Sequence, residues 1–278
     1  MPKVLSPEAI ERYRRDGFLF PVETIGSADA AAYRGRLEAF EAEQGKPLQG
    51  AYRQKTHLLF TWLNDLIRDP RILDVVEDVL GPNLFCWSSS FFIKEAGDPG
   101  YVSWHQDSTY WGLSEPTVMT VWVALSPSNE LSGCMKVVPG SHLLDQVAHR
   151  DTFNEHNLLT RGQEIAVEVD EKDAAMMPLE PGQASLHHVR LFHASPPNQS
   201  NDRRIGYAIR YIPTHVRQVV GEKDSATLVR GKDDYGYFEH EPRPDADFSP
   251  EAQALHAAVS ERQVQVLYRD TGRSTFRS

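Results

Sequence analysis

The chain has 278 residues, a formal net charge of −10, a hydrophobic fraction of 40% and two cysteines. The acidic balance argues against a nucleic-acid partner, which would require a basic patch. Two cysteines are too few for a disulfide framework, so we expect a reducing, cytoplasmic location. No apolar run approaches the roughly 20 residues that cross a membrane, so no membrane partner is expected. The length fits one all-β domain with a sizeable core.

The first 83 residues are predicted to be a helical N-terminal part. The first helix start is clear, because Ser6 can cap it, Pro7 suits its first position and Glu8 adds an acid to its first turn. Apolar residues then recur at helical spacing, which predicts helices that brace one face of a sheet. In chain order, the predicted elements are a helix from Ser6 to Asp16, a strand at 18–22, a helix at 27–45 and short helices at 58–68 and 71–80.

Residues 84–212 differ in character, because short strand-like runs alternate with glycine and proline turns. Val118 to Leu125 is the strongest strand candidate, since it is rich in β-branched and aromatic residues. The other predicted strands are 84–94, 135–138, 165–169, 184–187 and 205–212. Many short strands predict a jelly roll, the double-stranded β-helix shared with cupins. The predicted fold class is mainly β with flanking α, with a jelly-roll core at about 84–212 braced by N-terminal and C-terminal helices.

The C-terminal part divides into a polar stretch and a helix. Residues 221–248 are rich in Asp, Gly and Pro, and we interpret them as a long loop that would serve as a lid. Ser249, Pro250 and Glu251 repeat the helix-start signature, which predicts a final helix at about 250–268. All of these parts are predicted to form one domain that spans residues 1–278.

Three residues carry the chemistry that the sequence suggests. His105 and Asp107 lie two apart in Trp-His-Gln-Asp, and His193 lies far downstream in Leu-Phe-His-Ala-Ser. Two imidazoles and one carboxylate on one side of a metal form the facial triad of non-haem iron(II) oxygenases. Aromatic residues surround His105, which suits the apolar wall of a concave site. We therefore predict that these three residues bind a metal.

The proximal pair has a rival in a second His-x-Asp sequence. His149 and Asp151 have the same spacing but enter a polar stretch that is typical of a solvated loop. His105 and Asp107 are preferred because their surroundings are aromatic.

The distal histidine also has rivals. His187 and His188 precede His193 by only a few residues. If they lie on a strand they point to opposite faces, so at least one of them is a surface or packed histidine. His193 is preferred because it lies next to Ser195 and upstream of a strand that carries arginine.

An arginine completes the pattern. Arg204 lies eleven residues beyond His193, and a guanidinium there could hold the far carboxylate of a 2-oxoacid that chelates the metal. Arg203 is its neighbour, and alternation along a strand sends the two side chains to opposite faces, so only one can do this. The spacing from His193 favours Arg204.

At these residues the chain resembles the phytanoyl-CoA dioxygenase family of iron(II)- and 2-oxoglutarate-dependent oxygenases. The order and spacing of three sequence blocks within residues 84–212 carry the resemblance. The blocks are Trp104-His105-Gln106-Asp107, the segment from Gly133 to the Pro-Gly-Ser-His end at His142, and the stretch from Pro181 through His193 to Tyr211.

The resemblance implies a role for each of the residues singled out above. It implies His105, Asp107 and His193 as ligands of Fe(II), and Arg204, helped by Ser195, as the anchor for the C5 carboxylate of 2-oxoglutarate. Dioxygen (O2) would be the other cosubstrate, and succinate and carbon dioxide would be released. Halogenating relatives replace the acidic ligand with a small residue, so the intact Asp107 favours hydroxylation.

Five further residues near the metal pattern are candidates. Gln106 lies between the ligands and would reach the cosubstrate or substrate, with a solvated polar residue as the equal alternative. In relatives an aromatic residue near Trp122 faces the cosubstrate. Tyr110 and Trp111 would wall a substrate pocket or simply pack in the core. Lys94 would meet an anionic substrate, unless it is a surface lysine.

The predicted function is hydroxylation of an unactivated C–H bond of a small-molecule metabolite. The same chemistry would also support desaturation, cyclisation or epoxidation in a biosynthetic pathway, because the pose of the substrate decides the outcome. The alternative from another class is a non-catalytic jelly-roll metal-binding protein, since one fold hosts many functions.

Overall fold

The computed structural model describes residues 2–276, in which thirteen strands outnumber five α-helices. Its α-helices are α1 (Pro7–Asp16), α2 (Gly26–Gln44), α3 (Thr61–Leu66), α4 (Pro70–Leu80) and α5 (Pro250–Leu267). Its strands are β1 (Phe18–Glu23), β2 (Leu84–Lys94), β3 (Val102–His105), β4 (Met119–Ala124), β5 (Met135–Val137), β6 (His149–Asp151), β7 (Gln163–Ile165), β8 (Ala175–Met177), β9 (Gln183–His188), β10 (His193–Ser195), β11 (Arg204–Pro213), β12 (Ser225–Arg230) and β13 (Glu239–His240).

The strands form one large, one small and one minimal sheet. The seven-stranded sheet has the order β1-β9-β4-β11-β2-β12-β13, and the four-stranded sheet has the order β3-β10-β5-β8. Strands β6 and β7 pair only with each other. The two larger sheets build the double-stranded β-helix that the sequence predicts, so the predicted fold class is confirmed.

Strand β11 separates the helical layer from the interior of the β-helix. Successive side chains of a strand point to opposite faces. Four odd-numbered residues of β11 therefore pack in one core with apolar residues of α2, α3 and α4, namely Ile205, Tyr207, Ile209 and Tyr211. The even-numbered Arg204, Ala208 and Arg210 line a cavity on the other face. One core thus joins the N-terminal helices to the sheet.

The helix boundaries follow the predicted caps closely. The Ser6 hydroxyl accepts a hydrogen bond from the backbone of Ala9, and Gly17 ends α1 in a left-handed conformation with φ of 84°. Ser249 caps α5 in the same way as Ser6 caps α1. Helix α2 begins at Gly26 without a side-chain cap, one residue before the predicted Ser27. Within residues 2–276, no helix has the length and apolar character required to cross a bilayer.

Residues 221–248 depart most from the sequence prediction. They do not form one long loop, because Ser225–Arg230 is a strand that pairs with β2 on one side and with the short edge strand β13 on the other. The prediction failed because the hydroxyls of Ser225 and Thr227 look solvent-facing in the sequence. In the fold both donate to the buried carboxylate of Glu241.

Candidate metal centre and cosubstrate pocket

The predicted metal ligands meet where two short strands pair. His105 ends β3 and His193 begins β10, and the two residues are direct partners across the four-stranded sheet. Asp107 follows in a 3-10 turn. Its Oδ1 lies 3.4 Å from Nε2 of His105 and 3.9 Å from Nε2 of His193. Among residues 2–276 this is the one group of three His, Cys, Asp or Glu residues whose ligand atoms all lie within 4.8 Å of one another.

Hydrogen bonds to the backbone fix the orientation of both imidazoles. His105 Nδ1 lies 2.9 Å from the carbonyl oxygen of Ser103, and His193 Nδ1 lies 2.9 Å from that of Leu191. A carbonyl only accepts, so each Nδ1 carries the proton and each Nε2 keeps its lone pair. Metal-binding histidines are commonly held in this way by their outer nitrogen. The two Nε2 atoms therefore face Asp107 ready to coordinate a cation.

The charge states of the triad also suit a metal. Burial lowers the pKa of His193 well below its usual value, so its ring is neutral near pH 7. Burial acts to raise the pKa of Asp107, but interactions with the neighbouring His105, His193 and Arg210 outweigh it and hold that pKa low. Neutral imidazoles and an ionised carboxylate are the forms that bind a divalent metal. The residues present therefore fit the predicted iron(II).

The rival His-x-Asp pair does not converge on a site. Nε2 of His149 accepts a hydrogen bond from the backbone of Gln106, whereas Asp151 pairs with Arg161 at 2.9 Å. Both residues lie on β6 rather than in the solvated loop that the sequence suggested. Hydrogen bonding and an ion pair thus occupy both side chains, and the preference for His105 and Asp107 agrees with the geometry.

The triad and Arg204 share the wall of one cavity, whose empty space of about 410 Å³ is partly open to solvent. Arg204 is 2% exposed, and its Nη1 donates to the carbonyl of Gly133 at 2.7 Å. Its Nε has no partner among the described residues. Burial lowers its pKa to about 10, so the guanidinium stays charged near neutral pH. A buried cation with a free donor is a suitable receptor for a carboxylate.

Arg203 points away from this cavity, as strand alternation predicts. Its guanidinium pairs with Glu41 at 2.8 Å and with Glu95 at 2.9 Å. These two carboxylates hold it against α2 and the end of β2. The choice between the adjacent arginines therefore falls on Arg204, in agreement with its spacing from His193.

Trp122 and Ser195 lie beside Arg204 in the same cavity wall. The Arg204 guanidinium lies 5.2 Å from the centre of the Trp122 ring. Gly206 makes room for that ring, because a Cβ atom there would come within 1.8 Å of it. The predicted cosubstrate residues Arg204, Ser195 and Trp122 are thus brought together.

Lys94 occupies a different place from the one that the sequence suggested. It is fully buried, and its Nζ donates to the hydroxyl of Ser195 at 2.7 Å and to the carbonyl of Pro196. Burial and the neighbouring Arg204 lower its pKa to about 6. The expectation of a surface lysine is wrong, and Lys94 lies behind Ser195 rather than facing a substrate cavity.

The family follows from a direct comparison. The model of the phytanoyl-CoA dioxygenase (PhyH) family matches residues 2–206. The chain belongs to this family. The motif resemblance noted in the sequence is therefore confirmed.

Individual PhyH-like relatives support the same grouping. The probable alpha-ketoglutarate-dependent hypophosphite dioxygenase of Stutzerimonas stutzeri is 31% identical over 178 residues, which cover 61% of each protein. The match thus spans about three fifths of that relative's length. Apo ThoJ, a non-heme monooxygenase, is 37% identical with a TM-score of 0.81, covering 94% of this chain and 98% of ThoJ. CytC3 with Fe(II) and alpha-ketoglutarate is 26% identical with a TM-score of 0.66, and the match covers 88% of this chain and 97% of CytC3.

Gln106 is the predicted site residue of this PhyH member that the fold places elsewhere. Its side-chain amide nitrogen donates to the carbonyl of Arg190 at 3.0 Å, and its side-chain oxygen accepts from the backbone of Val147 at 2.9 Å. It lies between two ligands in sequence, so alternation turns it to the outer face. The prediction that Gln106 binds the cosubstrate is therefore not supported.

Sequence analysis of this PhyH chain did not assign Thr120 to the cavity, and it considered His187 only as a rival metal ligand. Thr120 on β4 and His187 on β9 are partners across the large sheet and both line the pocket. Burial lowers the pKa of His187 to about 4, so its ring is neutral. His188 points to the other face and packs against His142. The alternation of β9 separates the two histidines, but only the partner strand shows which face is the pocket.

A second, larger cleft of about 1370 Å³, part of it open to solvent, adjoins the metal pocket. Trp111 lines this cleft, and its ring centre lies 5.0 Å from that of Trp87 with the ring planes tilted by 50°. Tyr110 does not line it. The Tyr110 hydroxyl donates to Asp151, and its ring lies under Arg161. Trp111 is thus the predicted aromatic residue that faces the space for a substrate.

Proposed function

We propose that this chain is a non-haem iron(II)- and 2-oxoglutarate-dependent dioxygenase. It would hydroxylate an unactivated C–H bond of a small molecule, with release of succinate and carbon dioxide. One observation carries the proposal: a buried cluster of two histidines and one aspartate shares a cavity with Arg204, which has no carboxylate partner among the described residues. A structural metal site has no need for such an arginine.

Each part of the cavity has a role in this proposal. His105, Asp107 and His193 would hold iron(II), while Arg204 and Ser195 would hold the C5 carboxylate of 2-oxoglutarate beside Trp122. The metal, 2-oxoglutarate and dioxygen supply the oxidising chemistry when they are bound. Family membership supports this assignment, as does the solved structure of CytC3 with Fe(II) and alpha-ketoglutarate.

The chain itself would position the substrate. The larger cleft shares Phe92, Asp107 and Arg210 with the metal pocket, so a molecule in the cleft reaches the metal from the side of Asp107. Trp87, Trp111 and Phe92 give this junction apolar walls that exclude water. Orientation of the bound molecule then selects the C–H bond that reacts.

A cytoplasmic location also remains a proposal. Both cysteines, Cys86 and Cys134, are buried and free. Burial raises the pKa of each thiol, so neither is present as a reactive thiolate near neutral pH. Free thiols without a disulfide are typical of proteins from reducing compartments.

Succinate formation tests the proposed activity. The protein is supplied with Fe(II), 2-oxoglutarate and dioxygen, and succinate is measured for the wild type, for Asp107→Ala and for Asp151→Ala. We expect Asp107→Ala to lose more than about 100-fold in rate, since even the outer contacts of metal ligands cost about 10-fold to 100-fold. Asp151→Ala, in the rival His-x-Asp pair, should keep the activity. Equal rates for the wild type and Asp107→Ala would refute the proposal.

Two further measurements separate the alternatives that the sequence left open. Product analysis distinguishes hydroxylation from desaturation, cyclisation or epoxidation. For a non-catalytic metal-binding protein, adding 2-oxoglutarate to the anaerobic Fe(II) protein would leave its absorption spectrum unchanged. A new charge-transfer band that is absent from Arg204→Gln would exclude that alternative.

A further inference from the structure

Arg210 is a buried cation at the junction between the metal pocket and the larger cleft. Its side chain lines both spaces, and the residue is 7% exposed. It lies six residues beyond Arg204 on the same face of β11, roughly 20 Å further along the strand. The two guanidiniums have different surroundings. That of Arg204 lies beside Trp122, whereas that of Arg210 lies beside Ser90, Trp111 and Phe92, where the two cavities meet.

The contacts of Arg210 leave its charge unbalanced. Nη1 donates to the hydroxyl of Ser90 at 2.6 Å, and the guanidinium lies 5.4 Å from the Trp111 ring and 5.8 Å from the Phe92 ring. Its Nε has no partner, and no carboxylate lies within ion-pair distance of it, among residues 2–276. The carboxylate with the strongest electrostatic influence on it is the metal ligand Asp107.

Two other arginines near the cleft are paired with carboxylates, whereas Arg53, which also lines it, donates to the backbone carbonyl of Leu48 at 2.7 Å. Arg262, which also lines the cleft, donates to Glu239 at 2.6 Å, and Arg161 pairs with Asp151 at 2.9 Å. An unpaired buried guanidinium costs free energy, because burial penalises a charge unless a partner compensates it. A partner that arrives with a ligand would supply that compensation.

The sum of formal charges in the site with iron(II) and 2-oxoglutarate bound also indicates a missing anion near Arg210. Iron(II) brings two positive charges, Asp107 brings one negative charge and 2-oxoglutarate brings two. One negative charge remains, and Arg204 neutralises it. Arg210 is always protonated in a protein, so its charge is left over where the two cavities meet. A substrate with one negative charge would make the closed site neutral.

We propose that the substrate carries a carboxylate and that Arg210 binds this group at the junction of the two cavities. The inference rests on the proposed function, since it assigns a substrate class to the same site. The planar fork of a guanidinium matches a carboxylate through two parallel donors, and the free Nε provides one of them. Trp111 and Phe92 would shield the pair from water, which strengthens it.

Matched pairs of acids and amides test the inference. The anaerobic protein, saturated with Fe(II) and 2-oxoglutarate so that Arg204 is occupied, is titrated with phenylacetate, hexanoate and N-acetyl-L-proline. The primary amide of each acid is titrated in parallel. Binding is measured by quenching of tryptophan fluorescence, because Trp87 and Trp111 line the cleft, and by a change in the Fe(II)–2-oxoglutarate absorption band. We expect at least one acid to bind about 10-fold to 100-fold more tightly than its amide.

Variants assign the preference to one residue. Arg210→Gln should abolish the difference between acid and amide while 2-oxoglutarate binding stays within about twofold of the wild type, since Arg204 and Ser195 are intact. Arg210→Lys, which keeps the charge but loses the planar fork, should retain part of the difference. Arg203→Gln is the matched control. Arg203 lines neither cavity and pairs with Glu41 and Glu95, so this variant should keep the whole difference between acid and amide.

The outcomes separate this inference from the function on which it rests. If no acid binds the wild type more tightly than its amide, or if Arg210→Gln keeps the preference, the inference is overturned. An equal preference for methylphosphonate over its neutral ester would replace the carboxylate with a general anion and would also overturn it. If 2-oxoglutarate produces no absorption band, the proposed function fails, whereas an acid preference seen by fluorescence and lost in Arg210→Gln would still support Arg210 as an anion site.

Discussion

The interior of the protein contains two clusters of buried ionisable side chains, and they differ in how fully their polar atoms are paired. In the metal pocket, four buried polar atoms have no partner among the described residues: Thr120 Oγ1, His187 Nδ1, Arg204 Nε and Arg210 Nε. The second cluster lies around Glu241 on the helix-facing side of the sheet. No side chain of that cluster has an unpaired buried atom of this kind within residues 2–276.

The Glu241 cluster is satisfied entirely by the chain. One carboxylate oxygen accepts from Lys55 Nζ at 2.6 Å, and the other lies 3.2 Å from His57 Nε2. The hydroxyls of Ser225 and Thr227 donate to the same carboxylate. Burial acts to raise the pKa of Glu241, but Lys55 and His57 outweigh it and hold that pKa well below its usual value.

The difference indicates how to tell a structural cluster from a functional one. Both clusters contain histidines, acids and bases that are almost fully buried, so burial alone does not separate them. Unpaired polar atoms next to a cavity distinguish the functional cluster, because buried polar groups are ordinarily paired within the protein. Substitutions in the Glu241 cluster should therefore affect folding, and substitutions in the metal pocket should affect ligand binding.

The largest expected effect is in the structural cluster. Glu241→Gln leaves the buried Lys55 without its counter-charge, which should lower the free energy of unfolding by about 3–5 kcal/mol. Urea unfolding of the metal-free protein measures this. Glu239→Gln is the control, since it breaks a more exposed pair with Arg262 and should cost less than about 1 kcal/mol. Normal stability combined with lost 2-oxoglutarate binding in Glu241→Gln would break the comparison between the clusters.

The next effect is on cosubstrate binding. Arg204→Gln should raise the KM for 2-oxoglutarate by about 30-fold or more, because a buried charge pair costs 2 kcal/mol or more to truncate. Arg203→Gln is the matched control on the adjacent residue. Arg203 pairs with Glu41 and Glu95 outside the cavity, so its loss should leave this KM unchanged. Steady-state succinate formation over a range of 2-oxoglutarate concentrations decides the result, and a larger effect for Arg203→Gln would reverse the assignment.

Another prediction concerns the dependence of stability on pH. Burial lowers the pKa of His187 and of His188 from 6.5 to about 4 each. Between pH 4 and pH 6.5 the two histidines bind protons in the unfolded chain but not in the folded chain. Their contribution to the free energy of unfolding is therefore fully present above pH 6.5 and decreases as the pH falls toward 4. Each histidine contributes up to about 1.4 kcal/mol per pH unit. Urea unfolding of the metal-free protein at pH 5, 6 and 7 measures the slope, and His188→Gln should reduce it by about one proton. A stability that rises on acidification contradicts this expectation.

The sequence predicts those parts whose signal is local. Strands β2, β4 and β11 are long enough to show their composition, and alternation along β11 is sufficient to separate Arg203 from Arg204. The triad is recognisable because two of its ligands lie within three residues and the third has a fixed relation to Arg204. Strands β3 and β10, which carry the ligands, have only four and three residues, and so few residues show no periodicity.

The parts that the sequence does not predict depend on distant partners. Gln106 turns outward because Arg190 and Val147 bind its amide. The burial of Lys94 depends on a distant partner. Its Nζ donates to the hydroxyl of Ser195, which lies 101 residues away in the sequence. Arg210 lacks any sequence signal, since only the fold shows that it faces two cavities without a counter-ion.

The smallest expected effect concerns the hydroxyl that joins Lys94 to the cosubstrate pocket. Ser195→Ala removes an acceptor of Lys94 and a proposed donor to 2-oxoglutarate, which should raise the KM for 2-oxoglutarate by about fivefold, or about 1 kcal/mol. The turnover rate at saturation should not change, because the triad keeps its geometry. Ser200→Ala is the control, since this hydroxyl bonds Asn198 outside the pocket. A loss of Fe(II) affinity in Ser195→Ala, with the KM unaltered, would instead make Ser195 a support for the neighbouring His193.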